Sequence, residues 1–206
     1  MKTEFIDFSQ KELIKKVLYK NEVIAFPTET VYGLGCLSNS EIAFNNLVKV
    51  KNRVPNKPFT MMISNVDMIK NYCELNELCL KIVKKFMPGS ITLLVKRKNN
   101  IPHYLYLESD YIGFRIPKNK DLIDLIEFIG QPLLVPSANK SNEKPCLKAQ
   151  EVYDVFKNEI PLIIKKDDDL IDDVPSTILQ IDGNDIKLIR EGKLKLEEIK
   201  KELNLL

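Results

Sequence analysis

Short apolar runs alternate with segments of helical period along nearly the whole chain, and several connections between those runs are too short to carry a parallel crossover. That pattern predicts an α/β domain with a large, twisted, mixed sheet flanked by helices. Ser9 followed by Glu12 reads as a capping box opening a helix to about residue 20, with Leu13, Ile14, Val17 and Leu18 on one face. A strand over 22–26 stops at Pro27, which lacks a donor and disfavours helix at the residue before it. Ser40 caps a second helix, turning Ile42, Ala43, Leu47 and Val48 inward and reaching Lys51, with Pro55 ending any continuation. Residues 59–64 read as a buried strand, and helices near 66–72 and 76–87 lead to a Pro88-Gly89 turn. Further strands are expected at 91–96, 112–117, 132–136, 162–165, 176–181 and 186–190, and helices at 121–129, 149–156 and 196–203. There are no internal repeats or low-complexity linkers.

A chain of 206 residues with 44% hydrophobic content can bury a full core as one large domain or as a domain plus a small appendage. Its 31 basic and 29 acidic residues nearly cancel, so any site for anions has to be local. No apolar run approaches the roughly 18 residues of a membrane span, and the N-terminus lacks the basic-then-apolar layout of a signal peptide. A cytoplasmic protein without membrane contact is expected. Cys36, Cys73, Cys79 and Cys146 show no C-x-x-C spacing, and the single histidine, His103, has no second ligand nearby in sequence. Neither supports a zinc site. His103 sits in a polar, Pro-bearing connector and is read as a surface residue without a role.

Groups capable of chemistry recur where strands end. After the strand at 22–26 come the hydroxyls Thr28, Thr30 and Tyr32, with Glu29 among them and Gly33 and Gly35 behind, read as a turn that allows close backbone approach to a ligand. Lys51, Arg53 and Lys57 follow the second helix, an arrangement suited to anions. Arg115 falls in a strand otherwise built of Ile and Phe, where a guanidinium needs an anionic partner or solvent. Ser137 and Asn139 follow the strand at 132–136, a place where open α/β sheets bind ligands. Ser176 opens one late strand and Arg190 ends the next. Each alone has a plainer reading: Arg115 in an intramolecular ion pair, Ser137 and Asn139 in a turn, Ser176 as a strand-edge hydroxyl, the lysines and arginines on a solvated face.

Taken in order, PTETVYGLG (27–35), K-x-R-x-x-x-K-P (51–58), PGS-x-T (88–92), G-x-R-x-P (113–117), P-SAN (136–139) and the P-ST…R ending resemble the YrdC-domain family, the L-threonylcarbamoyladenylate synthases. The resemblance spans about residues 8–203 as a single domain.

That resemblance implies a YrdC-like fold with a basic concave cleft, and an enzyme joining L-threonine, bicarbonate and ATP into threonylcarbamoyl-AMP and pyrophosphate. Magnesium would accompany the ATP, with no protein ligand for it identified. The product would pass to a threonylcarbamoyl transferase complex that modifies tRNA next to the anticodon; direct tRNA binding is a further expectation. Carried over residue by residue, Thr30, Arg115, Val135 and Ser176 would hold threonine. Lys51, Arg53, Lys57, Ser137, Asn139, Cys146 and Arg190 would hold ATP. No general base is called for, because a carbamate oxygen is already anionic. The chain departs from the family pattern at Val54, where many members have proline, and at Met62, where longer members carry histidine. The aspartate-rich stretch 165–174 reads as a solvated loop rather than a lid. Two alternatives are a YrdC-like RNA-binding protein without synthase activity and a carbamoyl-transfer domain cut from a larger enzyme.

Overall fold

The computed structural model describes residues 2–54, 57–165 and 174–205. In chain order these form β1 (Glu4–Ile6), α1 (Lys11–Leu18), β2 (Ile24–Pro27), β3 (Tyr32–Leu37), α2 (Glu41–Lys51) and β4 (Met61–Met62). A 3-10 turn (Val66–Ile69), α3 (Glu77–Phe86), β5 (Ile91–Lys96), α4 (His103–Tyr106), β6 (Tyr111–Arg115), α5 (Lys120–Ile129) and β7 (Leu133–Leu134) follow. The chain closes with α6 (Ala149–Phe156), β8 (Leu162–Ile164), β9 (Thr177–Asp182), β10 (Asp185–Arg190) and α7 (Leu196–Glu202). The strands join one sheet in the order β1-β8-β2-β3-β7-β4-β6-β5-β9-β10. It is mixed, as the short connections require: β1, β2, β4 and β5 each have a parallel neighbour, while β2 with β3 and β9 with β10 are antiparallel.

Side chains alternate across the sheet and so divide the core in two. On β2, Ile24 and Phe26 face one layer with α1 and α5, where Ile14, Leu18, Leu122 and Ile126 are buried. Ala25 faces the other, which α2, α3, α6 and α7 cover through Leu47, Ile82, Val152 and Ile199. No described helix is long and apolar enough to cross a membrane.

Several expectations are corrected. Residues 32–37 form β3, not a turn: the turn is only 28–31, and Gly33 and Gly35 lie opposite Phe26 and Ile24 in an antiparallel ladder. A Cβ on Gly35 would come within 2.3 Å of the Phe26 ring, and one on Gly33 within 2.7 Å of Val135. Gly35 therefore clears room for the Phe26 ring and Gly33 for Val135. Ser9 does not cap α1: Gln10 stands at that position, and the Ser9 amide and hydroxyl both donate to Asp7. Ser40 does cap α2, accepting from the Ala43 amide at 3.2 Å, yet Ile42 is 62% exposed while Phe44 and Val50 turn inward. The strand expected at 59–64 shrinks to Met61–Met62, and the helix at 66–72 to a 3-10 turn. β1, which precedes residue 8, and α4 were not anticipated. His103 opens α4 with its side chain exposed, 3.4 Å from Glu108. Pro55 and residues 166–173 lie outside the described residues.

Candidate active site

The turn between β2 and β3 is held by one hydroxyl. Thr28 Oγ1 accepts from the amides of Thr30 (3.1 Å) and Val31 (3.3 Å) and donates to Val31 O (2.7 Å), a side-chain-closed turn. It delivers Glu29 and Thr30 to Arg115, the last residue of β6. The Arg115 guanidinium donates from Nε to Gly89 O (3.1 Å), from Nη1 to Thr30 Oγ1 (3.2 Å) and from Nη2 to Glu29 Oε1 (2.5 Å). The pair is largely withdrawn from solvent, with side-chain exposures of 7% for Arg115 and 16% for Glu29. The anionic partner that the sequence demanded for Arg115 is thus within the chain, and the guanidinium still borders the cleft.

Arg190 reaches the same region because β10 carries a bulge. Leu188 pairs with Leu179, but Arg190 pairs with Ile178, leaving Ile189 extra. The added residue turns Arg190 to the face of Ile178 and Thr92 instead of the core face of Leu179. Its Nε and Nη2 grip Ser176 O at 3.2 and 2.8 Å, and Nη2 also reaches Ser176 Oγ at 3.2 Å. That hydroxyl lies 3.0 Å from Thr92 Oγ1 on β5. Burial, then the nearby Arg115 charge, lowers Arg190 from the ordinary guanidinium range. Gly192 lets the backbone at 175–177 pack close, since a Cβ there would come within 2.1 Å of Pro175 O.

At the other end, Lys51 closes α2 and is buried, 4% exposed. Asn52 takes a left-handed conformation (φ 50°), and the chain leaves the helix there. Lys51 Nζ donates to Ser137 O (2.7 Å), Asn139 Oδ1 (2.7 Å) and Ser137 Oγ (3.4 Å). All three acceptors are neutral. Burial, followed by repulsion from Arg53, lowers its pKa to about 8. Asn139 is fixed in turn by Ser137 Oγ at 2.6 Å and by the carbonyls of Lys140 and Glu143. Arg53 lies over the Phe59 ring at 4.8 Å and donates to Lys57 O at 3.1 Å.

These residues share one cleft of about 760 Å³, a size suited to small ligands. Its described lining includes Thr30, Arg115, Val135, Ser176, Lys51, Arg53, Lys57, Ser137, Asn139 and Arg190, ten of the eleven residues singled out in the sequence. The exception is Cys146. It is buried, with its thiol raised to about 11 chiefly by desolvation, and it serves through its backbone, accepting from the Tyr32 amide and donating to Ala138 O. Thr28, marked in the sequence among the hydroxyls after β2, and Met62, marked as a departure from the family pattern, also line the cleft; so do Thr60 and Thr92, which received no role, although Thr92 lies within the PGS-x-T motif that could have marked it. Among the described lining residues five are basic and none is acidic. No cluster of His, Cys, Asp or Glu able to hold a metal occurs among the described residues. A magnesium ion here would be carried mainly by ligand phosphates, as is common for that ion.

Fold and cleft together define a single α/β domain on a mixed sheet, with hydroxyl, amide and cationic groups converging on one cavity. A family model for Sua5/YciO/YrdC, described as telomere recombination, matches residues 16–192. A threonylcarbamoyl-AMP synthase of Buchnera aphidicola is 36% identical over 150 residues, covering 71% of this chain and 86% of that protein. A putative threonylcarbamoyl-AMP synthase of Methanocaldococcus jannaschii is 31% identical over 194 residues, covering 91% and 88%. Among solved structures, P. abyssi Sua5 complexed with L-threonine superposes with a TM-score of 0.88 at 30% identity, covering 97% of this chain and 58% of that one. E. coli YciO shares the fold, with a TM-score of 0.85 at 21% identity over 96% and 99% of the two chains. The chain belongs to the Sua5/YciO/YrdC family.

Proposed function

We propose that this protein is a threonylcarbamoyl-AMP synthase, a nucleotidyltransferase that transfers the AMP unit of ATP to the carbamate of L-threonine. Two differently equipped ends of one cleft carry this reading. One end has Arg115, Thr30, Ser176 and Thr92, suited to a carboxylate and a hydroxyl; the other has Lys51, Arg53 and Lys57, suited to phosphates. The names of the relatives support the synthase over an RNA-binding protein lacking the activity.

In this reading threonine places its carboxylate on Arg115 and its hydroxyl near Ser176, with the main chain at Val135 alongside. Bicarbonate and the free amine give the carbamate and water. A carbamate oxygen then attacks the α-phosphorus and pyrophosphate leaves. The nucleophile is already anionic, so the protein's task is alignment and neutralisation of phosphate charge. Lys51, oriented by Ser137 and Asn139, and Arg53, held over Phe59, supply positive charge together with Lys57, and Arg190 adds its charge from the Arg115 end of the cleft. Magnesium bound with the nucleotide would neutralise further phosphate charge. The product would go to a threonylcarbamoyl transferase complex acting on tRNA. The test is pyrophosphate release by the purified protein with ATP and magnesium. Release that requires both L-threonine and bicarbonate is expected; release indifferent to threonine, or none, overturns the assignment.

A further inference from the structure

Glu29 is the one carboxylate in contact with the guanidinium end of the cleft among the described residues, yet it is not part of the described cavity lining, whereas Arg115 and Thr30 are. It therefore meets Arg115 from behind the wall. A guanidinium has five N–H donors. Three are taken within the chain, one each at Nε, Nη1 and Nη2, by Gly89 O, Thr30 Oγ1 and Glu29 Oε1. Among the described residues no other partner occurs, so two remain, one on each terminal nitrogen, which is the number that a carboxylate accepts in a two-pronged contact. Glu29 binds through a single oxygen; its Oε2 is buried without a hydrogen-bond partner. A carboxylate held that way takes one donor from Nη2 and leaves that nitrogen its second N–H. Arg115 and Arg190 face the same region, and Glu29 offsets one of their two charges, leaving a net charge matched to a ligand with a single carboxylate.

We propose that Glu29 is the positioning residue for the amino-acid end of this cleft, acting through Arg115 to present the guanidinium's two remaining N–H groups to the α-carboxylate. This rests on the synthase reading above, in which that carboxylate is threonine's. Turn geometry supports it, because the Thr28-closed turn that carries Glu29 also carries Thr30, so one short segment braces two of the three guanidinium nitrogens.

The experiment compares L-threonine with L-threoninamide, which lacks the carboxylate charge, in pyrophosphate release by wild type, Glu29→Ala and Glu29→Gln, with ATP affinity measured alongside. In Glu29→Ala the threonine KM should rise tenfold or more while ATP affinity stays within twofold. The preference for threonine over threoninamide should fall by a similar factor. Glu29→Gln keeps an acceptor oxygen at Nη2 and should restore part of the preference; should the alanine variant not fold, a threefold or greater loss in the glutamine variant carries the test. Unchanged preference in a folded variant, or equal losses with both substrates, overturns the proposal while leaving the synthase reading intact. A wild type without any threonine response removes the reading and this proposal together.

Discussion

Lys51 and Arg115 show how a single side chain can be tuned by what surrounds it. Lys51 is a buried ammonium whose partners are all neutral, and its pKa of about 8 in the folded protein lies below the ordinary 10.5. The unfolded chain therefore binds more protons at this site between about pH 8 and 10.5, and Lys51's contribution to stability rises with pH across that window. Ligand binding runs the other way. Phosphates favour the ammonium, so above pH 8 ATP binding draws in a proton and affinity falls, by at most about tenfold per pH unit. Calorimetry in two buffers of different ionisation enthalpy should detect that uptake in wild type and lose it in Lys51→Ala. At Arg115, lysine would keep the charge but could not reproduce a planar fork held from three sides. Arg115→Lys should raise the threonine KM roughly 30- to 150-fold, the loss of about 2–3 kcal/mol of charged hydrogen bonding. Initial rates at varied threonine check this, and an unchanged KM would remove Arg115 from the carboxylate contact.

The elements that place these groups were unevenly legible. Deleting Ile189 would remove the bulge of β10 yet leave Arg190 directly after Leu188 and still opposite Ile178, so ATP turnover should fall less than in Arg190→Ala; initial rates of the two variants check this. Nothing in the run DIKLIR announces that bulge, because an extra residue matters only against a particular partner register. The same holds for β3, whose glycines read locally as a turn but are required by Phe26 across the ladder. Elements fixed by local chemistry were readable: the Ser40 cap of α2, the full extent of β5 and the full extent of α6. Ser40→Ala should cost about 1 kcal/mol in a denaturant titration. Within the site, residue types were legible and their connections were not. Lys51 was marked by its spacing to Arg53, but its clasp on the 137–139 segment, 86 positions away, belongs to the folded chain alone. Glu29 stood in plain view between two threonines, and only its contact with Arg115 gives it a purpose.

On the scale of the whole molecule, the cleft draws on both halves of the sheet. The β2–β3 turn and the segment after β7 supply one part; the ends of β6 and β10 and the starts of β5 and β9 supply the other. A ligand bridging them binds the folded chain only, so ATP and threonine at 100 times their dissociation constants should each add about 2.7 kcal/mol if their effects are independent, measurable as a rise in Tm. Arg190 stands on β10, an edge strand that among the described residues pairs only with β9. Its amides should exchange with deuterated solvent well before those of β2 and β3, which lie in the sheet's interior. A nucleotide gripping Arg190 should slow that exchange where the fold itself holds least, so occupancy of the cleft can be followed as a clock at the edge of the sheet.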